Sequence, residues 1–213
     1  MKNILFIVAL TILTLSCKAQ TPIIDISQRA NSEIYIDLQD NCYLKDVANK
    51  LDPFLGTWVW TEGNNSLTIT LEKIEMIYSN ISKHYSDAVI GKYKYIENGV
   101  EIINTLDYNI TAENAWDAHP TYIYRMLIPM LGGYNSDTKL HFHFSDYLKS
   151  KTENAYFKLL DLVTNPPLGN NPPTYSVSQA KLILQNSEHW NINGENPRDP
   201  EFTIPNNITL TKQ

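Results

Sequence analysis

The sequence predicts an all-β domain: an antiparallel meander that closes into a barrel, a flattened barrel or a sandwich, behind one short helix and an export signal. Three observations carry that expectation. From Phe54 onward apolar residues alternate with polar ones at a period of two, as in Leu67, Ile69 and Leu71 or Leu140, Phe142 and Phe144, the spacing that sets one face of a strand on a core. Asn98-Gly99 separates two such runs, 93–97 and 100–103, and both residues tolerate the positive φ of a two-residue hairpin turn. Strand-like runs succeed one another through short polar turns with no helical stretch between them, so consecutive strands are expected to pair as antiparallel neighbours.

At the N-terminus, Lys2 precedes a stretch from Ile4 to Leu15 made of apolar residues and threonine. Twelve residues give roughly 18 Å of helix against the roughly 30 Å of a bilayer core, which reads as the apolar region of a signal peptide and not as a membrane span. Ser16-Cys17 then resembles the lipobox of bacterial lipoproteins. That resemblance implies a signal peptide over 1–16, lipidation of Cys17 as the first mature residue, and a membrane anchor. The competing reading is ordinary cleavage after Ala19, giving a secreted or periplasmic soluble protein. Lipidation of Cys17 or its removal by cleavage leaves Cys42 without a thiol to pair with, so no intrachain disulfide is expected, and Cys42 reads as a small buried hydrophobe.

Residues 17–33 carry no sustained period and read as a flexible tether; a single domain is expected over 34–213. Within it, Leu44, Val47, Ala48 and Leu51 recur at i, i+3, i+4 and i+7, which predicts a short amphipathic helix over 41–51 ended by Pro53. Strands are expected near 55–62, 66–78, 84–97, 100–106, 121–128, 139–147, 153–163, 179–187 and 202–212. Gly91, inside a strand pattern, is expected to mark a bulge or a sharp bend. The first hairpin can be put in register by burial: a turn at Asn64-Asn65 sets Trp60 opposite Ile69 and Trp58 opposite Leu71, whereas a one-residue slip would turn the apolar set to the other side. Long polar loops at 107–120, with Trp116, and at 164–178, with Pro166-Pro167 and Pro172-Pro173, interrupt the meander and are expected to be either functional rims or solvent-exposed excursions.

Composition excludes some functions. Seventeen Lys and Arg stand against 23 Asp and Glu, for a formal charge of −6 with no basic cluster, so nucleic acid is not an expected partner. Aromatic residues at 11% with only 19% charged describe a chain that folds.

The segment Phe54-Leu55-Gly56-Thr57-Trp58 resembles the G-x-W signature that opens the first strand of lipocalins and related fatty-acid-binding barrels. The resemblance implies a lipocalin-like barrel in which the indole closes one end, a late-strand arginine packs on it, and an apolar or amphipathic ligand binds inside. Arg198 is the candidate for that arginine, and Trp58, Trp60, Tyr93 and Tyr95 are the ligand-binding candidates, unless these rings simply fill the interior. More broadly, Cys17-Lys18-Ala19-Gln20, the segment 54–58, the segment 91–99 and the terminal 204–213 resemble a family of small exported Gram-negative lipoproteins, a domain of unknown function. That implies a place in the cell envelope, at the outer membrane.

His141-x-His143 puts two imidazoles on one strand face, with His84, His119, His189 or Asp146 as possible third ligands, but Leu140, Phe142 and Phe144 hold the opposite face and a solvated pair is the expectation. Asp87, Glu97, Asp107, Glu113, Asp117, Asp146 and Asp161 offer carboxylates whose spacing defines no acid–base pair. No G-x-S-x-G, G-x-G-x-x-G or phosphate loop occurs. The expectation is therefore a non-catalytic envelope lipoprotein without cofactor or metal. Its possible partners are a small apolar ligand or another envelope protein; the alternatives are a structural or interaction protein with a filled core, or an envelope enzyme using rim carboxylates or His141 and His143.

Overall fold

The computed structural model describes residues 22–30, 38–79, 82–111, 130–149, 151–169, 172–185 and 201–213. The segment read as a signal peptide, Cys17, the strand expected at 121–128, Trp116, His119, His189 and Arg198 lie outside the described residues.

Eight strands close into an antiparallel barrel. They are β3 (Gly56–Glu62), β4 (Asn65–Ser79), β5 (His84–Glu97), β7 (Met130–Ser136), β8 (Lys139–Asp146), β9 (Lys151–Leu159), β12 (Gln179–Leu184) and β13 (Ile208–Lys212). Each pairs with the next, and β13 closes on β3 through Thr211 opposite Val59 and Lys212 opposite Trp58. This is the expected meander, and closure leaves no free edge in the barrel. The outer edge of β5 serves three partners in turn. Parallel strand β2 (Tyr43–Lys45) meets it at Tyr85 and Ser86, β7 at residues 89–91, and β6 (Val100–Asn104) at residues 94–97.

The β3–β4 turn and the turn after β5 both use positive φ. Asn98 (φ 52°) and Gly99 (φ 81°) join Glu97 to Val100 as expected. The first hairpin turns at Gly63-Asn64 and not at Asn64-Asn65, because Gly63 takes φ 59° without steric cost. The register is therefore two residues from the expected one, with Trp60 opposite Leu67 and Trp58 opposite Ile69. A two-residue shift preserves the face, so the indoles still share their side with Leu67 and Ile69. Asn65 caps the neighbouring turn instead, its Oδ1 accepting from the Asn98 amide at 2.7 Å. Gly91 carries an unbroken ladder to Leu71 on one side and Met130 on the other; the bulge falls in β4 between Ile74 and Ile77, with Met76 at φ 57°.

The helix expected over 41–51 does not form. Asn41 (φ 65°) and Asn49 (φ 54°) are left-handed, Tyr43–Lys45 pairs with β5 as a strand, and Val47 is exposed. A helical period was present, but pairing of Tyr43 with Tyr85 and capture of local amides by Asp46 override it. A 3-10 turn, Asp52–Phe54, follows. In the stretch read as tether, β1 (Ile23–Asp25) pairs in parallel with β2, and Ile26 is fully buried in the core.

A single large apolar cluster forms the core of the barrel. Leu67, Ile69, Tyr93, Phe144, Phe157, Leu182 and Leu210 alternate inward from successive strands, as the period-two reading requires. Trp58 meets Phe157 edge-on at 5.1 Å and Tyr93 tilts against Phe144 at 5.2 Å, contacts that contribute about 0.5–1.5 kcal/mol each beyond burial.

The ends differ. The capped end holds the 3-10 turn, the start of β5, the β7–β8 turn and the final residue Gln213. It also carries the long β9–β12 connection, where the loop expected at 164–178 forms a separate hairpin of β10 (Val163–Asn165) and β11 (Thr174–Ser176). The opposite end holds the turns at 63–64, 98–99 and 147–149.

Candidate functional site at the capped end

At the floor of the barrel the 3-10 turn drives Phe54 into the core, and its carbonyl accepts the Trp58 indole N–H at 2.8 Å. Lys212 of β13 lies over that indole, its Nζ 5.2 Å from the ring, and donates to the Pro53 carbonyl at 3.0 Å. Gly56 takes φ 108°, a backbone conformation that favours glycine, and a Cβ there would stand in ordinary contact with the Lys212 stem at 3.4 Å. Here a lysine does what was expected of Arg198, packing a late-strand cation on the G-x-W tryptophan. Burial holds the Lys212 ammonium below its ordinary value and raises the Asp52 carboxyl nearby. No period or motif marks Lys212, whose role depends on barrel closure.

Above the floor, two buried carboxylates fasten the N-terminal strands to the β4 bulge. Asp87 Oδ1 accepts from Tyr43 Oη (2.5 Å) and the Met76 amide (3.2 Å), and Oδ2 from the Asp46 amide (2.8 Å). Asp46 in turn accepts from the Lys50 amide (2.6 Å), the Leu51 amide (3.1 Å) and Lys73 Nζ (3.0 Å). Burial pulls the Lys73 ammonium down, but the hydrogen bond and charge of Asp46 outweigh it and leave its pKa raised. Burial, then the bond to Asp87, raises the Tyr43 phenol. Both oxygens of each carboxylate are engaged, so the pair positions backbone. Only Asp87 was among the sequence candidates; Tyr43, Asp46 and Lys73 were missed because they gather only when β2 docks on β5.

The remaining carboxylate candidates stay dispersed. Asp146, fully buried at the opposite end, accepts from the Thr203 amide and hydroxyl and from the Lys149 amide. Asp161 is exposed and accepts from the Ser178 hydroxyl and then from the Gln179 and Ser178 amides, which holds its carboxyl low. Glu97 accepts from Tyr95 Oη at 3.4 Å, and Asp107 is exposed. Glu113 and Asp117 lie outside the described residues.

His141 and His143 share the outer face of β8, their rings 5.7 Å apart, with His141 5.2 Å from Tyr156. His84 sits at the capped end with Nδ1 beside the Ser82 carbonyl, and the carboxylate of Asp146 is committed to Thr203 and Lys149. Among the described residues no group of three His, Cys, Asp or Glu is placed to hold a metal. Cys42 is fully buried and without a disulfide among these residues, and burial raises its thiol.

The aromatic candidates do come together, as packing. Trp58 and Tyr93 expose no surface, Tyr95 is buried, and Trp60 packs half-buried on the same core. A chamber beside them would leave their rings a wetted surface, and Trp58 and Tyr93 have none. Tyr93 instead gives its hydroxyl proton to the Ser145 carbonyl at 3.2 Å, and burial raises its phenol.

A family model described as a family of unknown function (DUF6705) matches residues 1–213. No curated protein and no solved structure matches the chain.

Proposed function

We propose, for a chain that belongs to the DUF6705 family of unknown function, a non-catalytic role in the cell envelope: an exported protein, lipidated at Cys17 and held at the outer membrane, whose barrel is a filled scaffold. The observation that carries this reading is the packing of Trp58 on Phe157 and of Tyr93 on Phe144, all four at zero to one per cent exposure. A calyx for a small apolar ligand needs a cavity of about 300 Å³ or more, and it would lie where these rings sit. Asp46 and Asp87 each accept three hydrogen bonds from groups that hold the fold, which supports a structural role for this buried pair. Function then resides on the outside of the barrel and at its ends, toward another envelope component.

Two measurements test this. Labelled fatty acid should enter the wild-type chain and not Cys17→Ser; equal labelling of both removes the anchor. Fatty acids and fluorescent apolar probes should leave Trp58 and Trp60 emission unchanged; saturable, stoichiometric quenching would restore the ligand-binding reading with Trp58, Trp60, Tyr93 and Tyr95 as its lining.

A further inference from the structure

We infer that the capped end of the barrel faces the lipid surface and that the β10–β11 hairpin inserts its tip into it. The inference rests on the reading of Cys17 as the lipid anchor and says which surface of the protein that anchor presents to the membrane.

Reach comes first. Pro22 lies just before β1, and β1 is paired to β2 at the capped end. Four residues stand between Cys17 and Pro22, so the five steps from one to the other span about 18 Å at full extension. An anchored chain therefore holds this end close to the bilayer, and the opposite end is carried away from it by the length of the barrel.

The distribution of apolar surface agrees. Among the described residues nine large apolar side chains are exposed, and six of them, Ile23, Val47, Met76, Leu160, Val163 and Leu168, lie at the capped end or on the hairpin that springs from it. Leu168, at the hairpin tip, is 80% exposed, the highest value of the nine. Exposed apolar residues gathered at one end mark a contact surface in a way that scattered ones do not.

The hairpin is also built to hold its tip out. Leu162 and Val177, at its base, pack on the barrel core, and Tyr175 donates from Oη to the Ala48 carbonyl at 3.2 Å. Pro166-Pro167 precede Leu168, and their fixed φ limits the conformational freedom lost on docking. A rooted hairpin with a proline-stiffened, apolar tip beside a short lipid tether fits the interfacial zone of a bilayer.

The test uses the full chain, isolated with its anchor and reconstituted in vesicles of phosphatidylethanolamine and phosphatidylglycerol that carry doxyl-labelled lipid. A fluorescent label is placed in Leu168→Cys or, as the control at the opposite end, in Leu148→Cys, since Leu148 is 59% exposed and Cys42 is buried from the reagent. Incorporation of labelled fatty acid identifies the anchored molecules. The expected result is lipid quenching at position 168 at least twofold stronger than at 148. Equal quenching at both positions on fatty-acid-labelled protein overturns the inference and leaves the anchor standing. Protection of position 168 from aqueous iodide without lipid quenching assigns the tip to a protein partner and also overturns it. Absence of the fatty acid label removes the anchor reading, and this inference with it.

Discussion

Replacing Asp87 tests whether the buried carboxylate network holds the N-terminal strands on the barrel. Asp87 is 1% exposed and accepts three hydrogen bonds, two from backbone amides and one from Tyr43 Oη. Asp87→Asn keeps the shape, and its amide oxygen can stay toward Tyr43 and Met76, but the NH2 group then meets the Asp46 N–H. One buried donor loses its acceptor, at a cost of about 1–3 kcal/mol. Asp87→Ala strands all three donors and leaves Lys73 with one counter-charge fewer, which puts the loss at about 3–5 kcal/mol. It also removes the acceptor of Met76, whose left-handed backbone is held in place partly by that bond. For a domain of this size each kcal/mol lowers Tm by about 2–4 °C, so the mid-range losses of about 2 and 4 kcal/mol should lower the melting points of the two variants by about 4–8 °C and 8–16 °C. Urea unfolding followed by tryptophan emission gives the free energies, and hydrogen exchange at residues 23–25 and 43–45 should report local release in Asp87→Ala before global unfolding. If both variants stay within 1 kcal/mol of wild type, or if Tyr43→Phe costs as much as Asp87→Ala, the network is not what holds these strands.

Three further outcomes follow from the same geometry. Gly132→Ala should lose about 3 kcal/mol or more in urea unfolding, because its Cβ would stand 2.3 Å from Phe142 Cβ and 2.7 Å from the His141 carbonyl; a change under 1 kcal/mol would mean that β7 and β8 approach less closely. Tyr147→Phe should raise stability by about 1 kcal/mol, since Tyr147 Oη has no hydrogen-bond partner among the described residues, and a loss above 1 kcal/mol would reveal one. Alkaline stability should fall because burial raises the phenols of Tyr43, Tyr93, Tyr134 and Tyr147 above their ordinary 10.0. The unfolded chain ionises first, so stability is complete below about pH 10 and is lost as pH rises toward the folded values. Phenolate absorbance from these residues should appear only with unfolding; its appearance in the folded protein would contradict the burial.

By itself the sequence determined the fold class, the inward face of most strands and the floor motif. Alternation in 67–71, 89–95 and 140–144 is a local property, because a strand turns every second side chain to the same side wherever it pairs. Asn98-Gly99 likewise carries its turn in its own φ preferences. Tertiary structure decided what depends on distant partners. Strand β7, with two adjacent glycines and an asparagine, has weak strand propensity, and it pairs because Gly132 lets it lie against β8. The period at 44–51 favoured a helix, yet Asp87, some forty residues away, accepts the Asp46 amide and the Tyr43 hydroxyl and holds a strand there instead. The choice between Gly63-Asn64 and Asn64-Asn65 was invisible to a face argument, since the two registers bury the same side and differ only in which residue takes positive φ. Lys212 lies 154 residues after Trp58 in the chain and reaches its ring only because β13 closes on β3. Periodicity records which side of each strand is buried, whereas contacts across closure, bulge and floor join side chains whose sequence separation carries no signal of their approach.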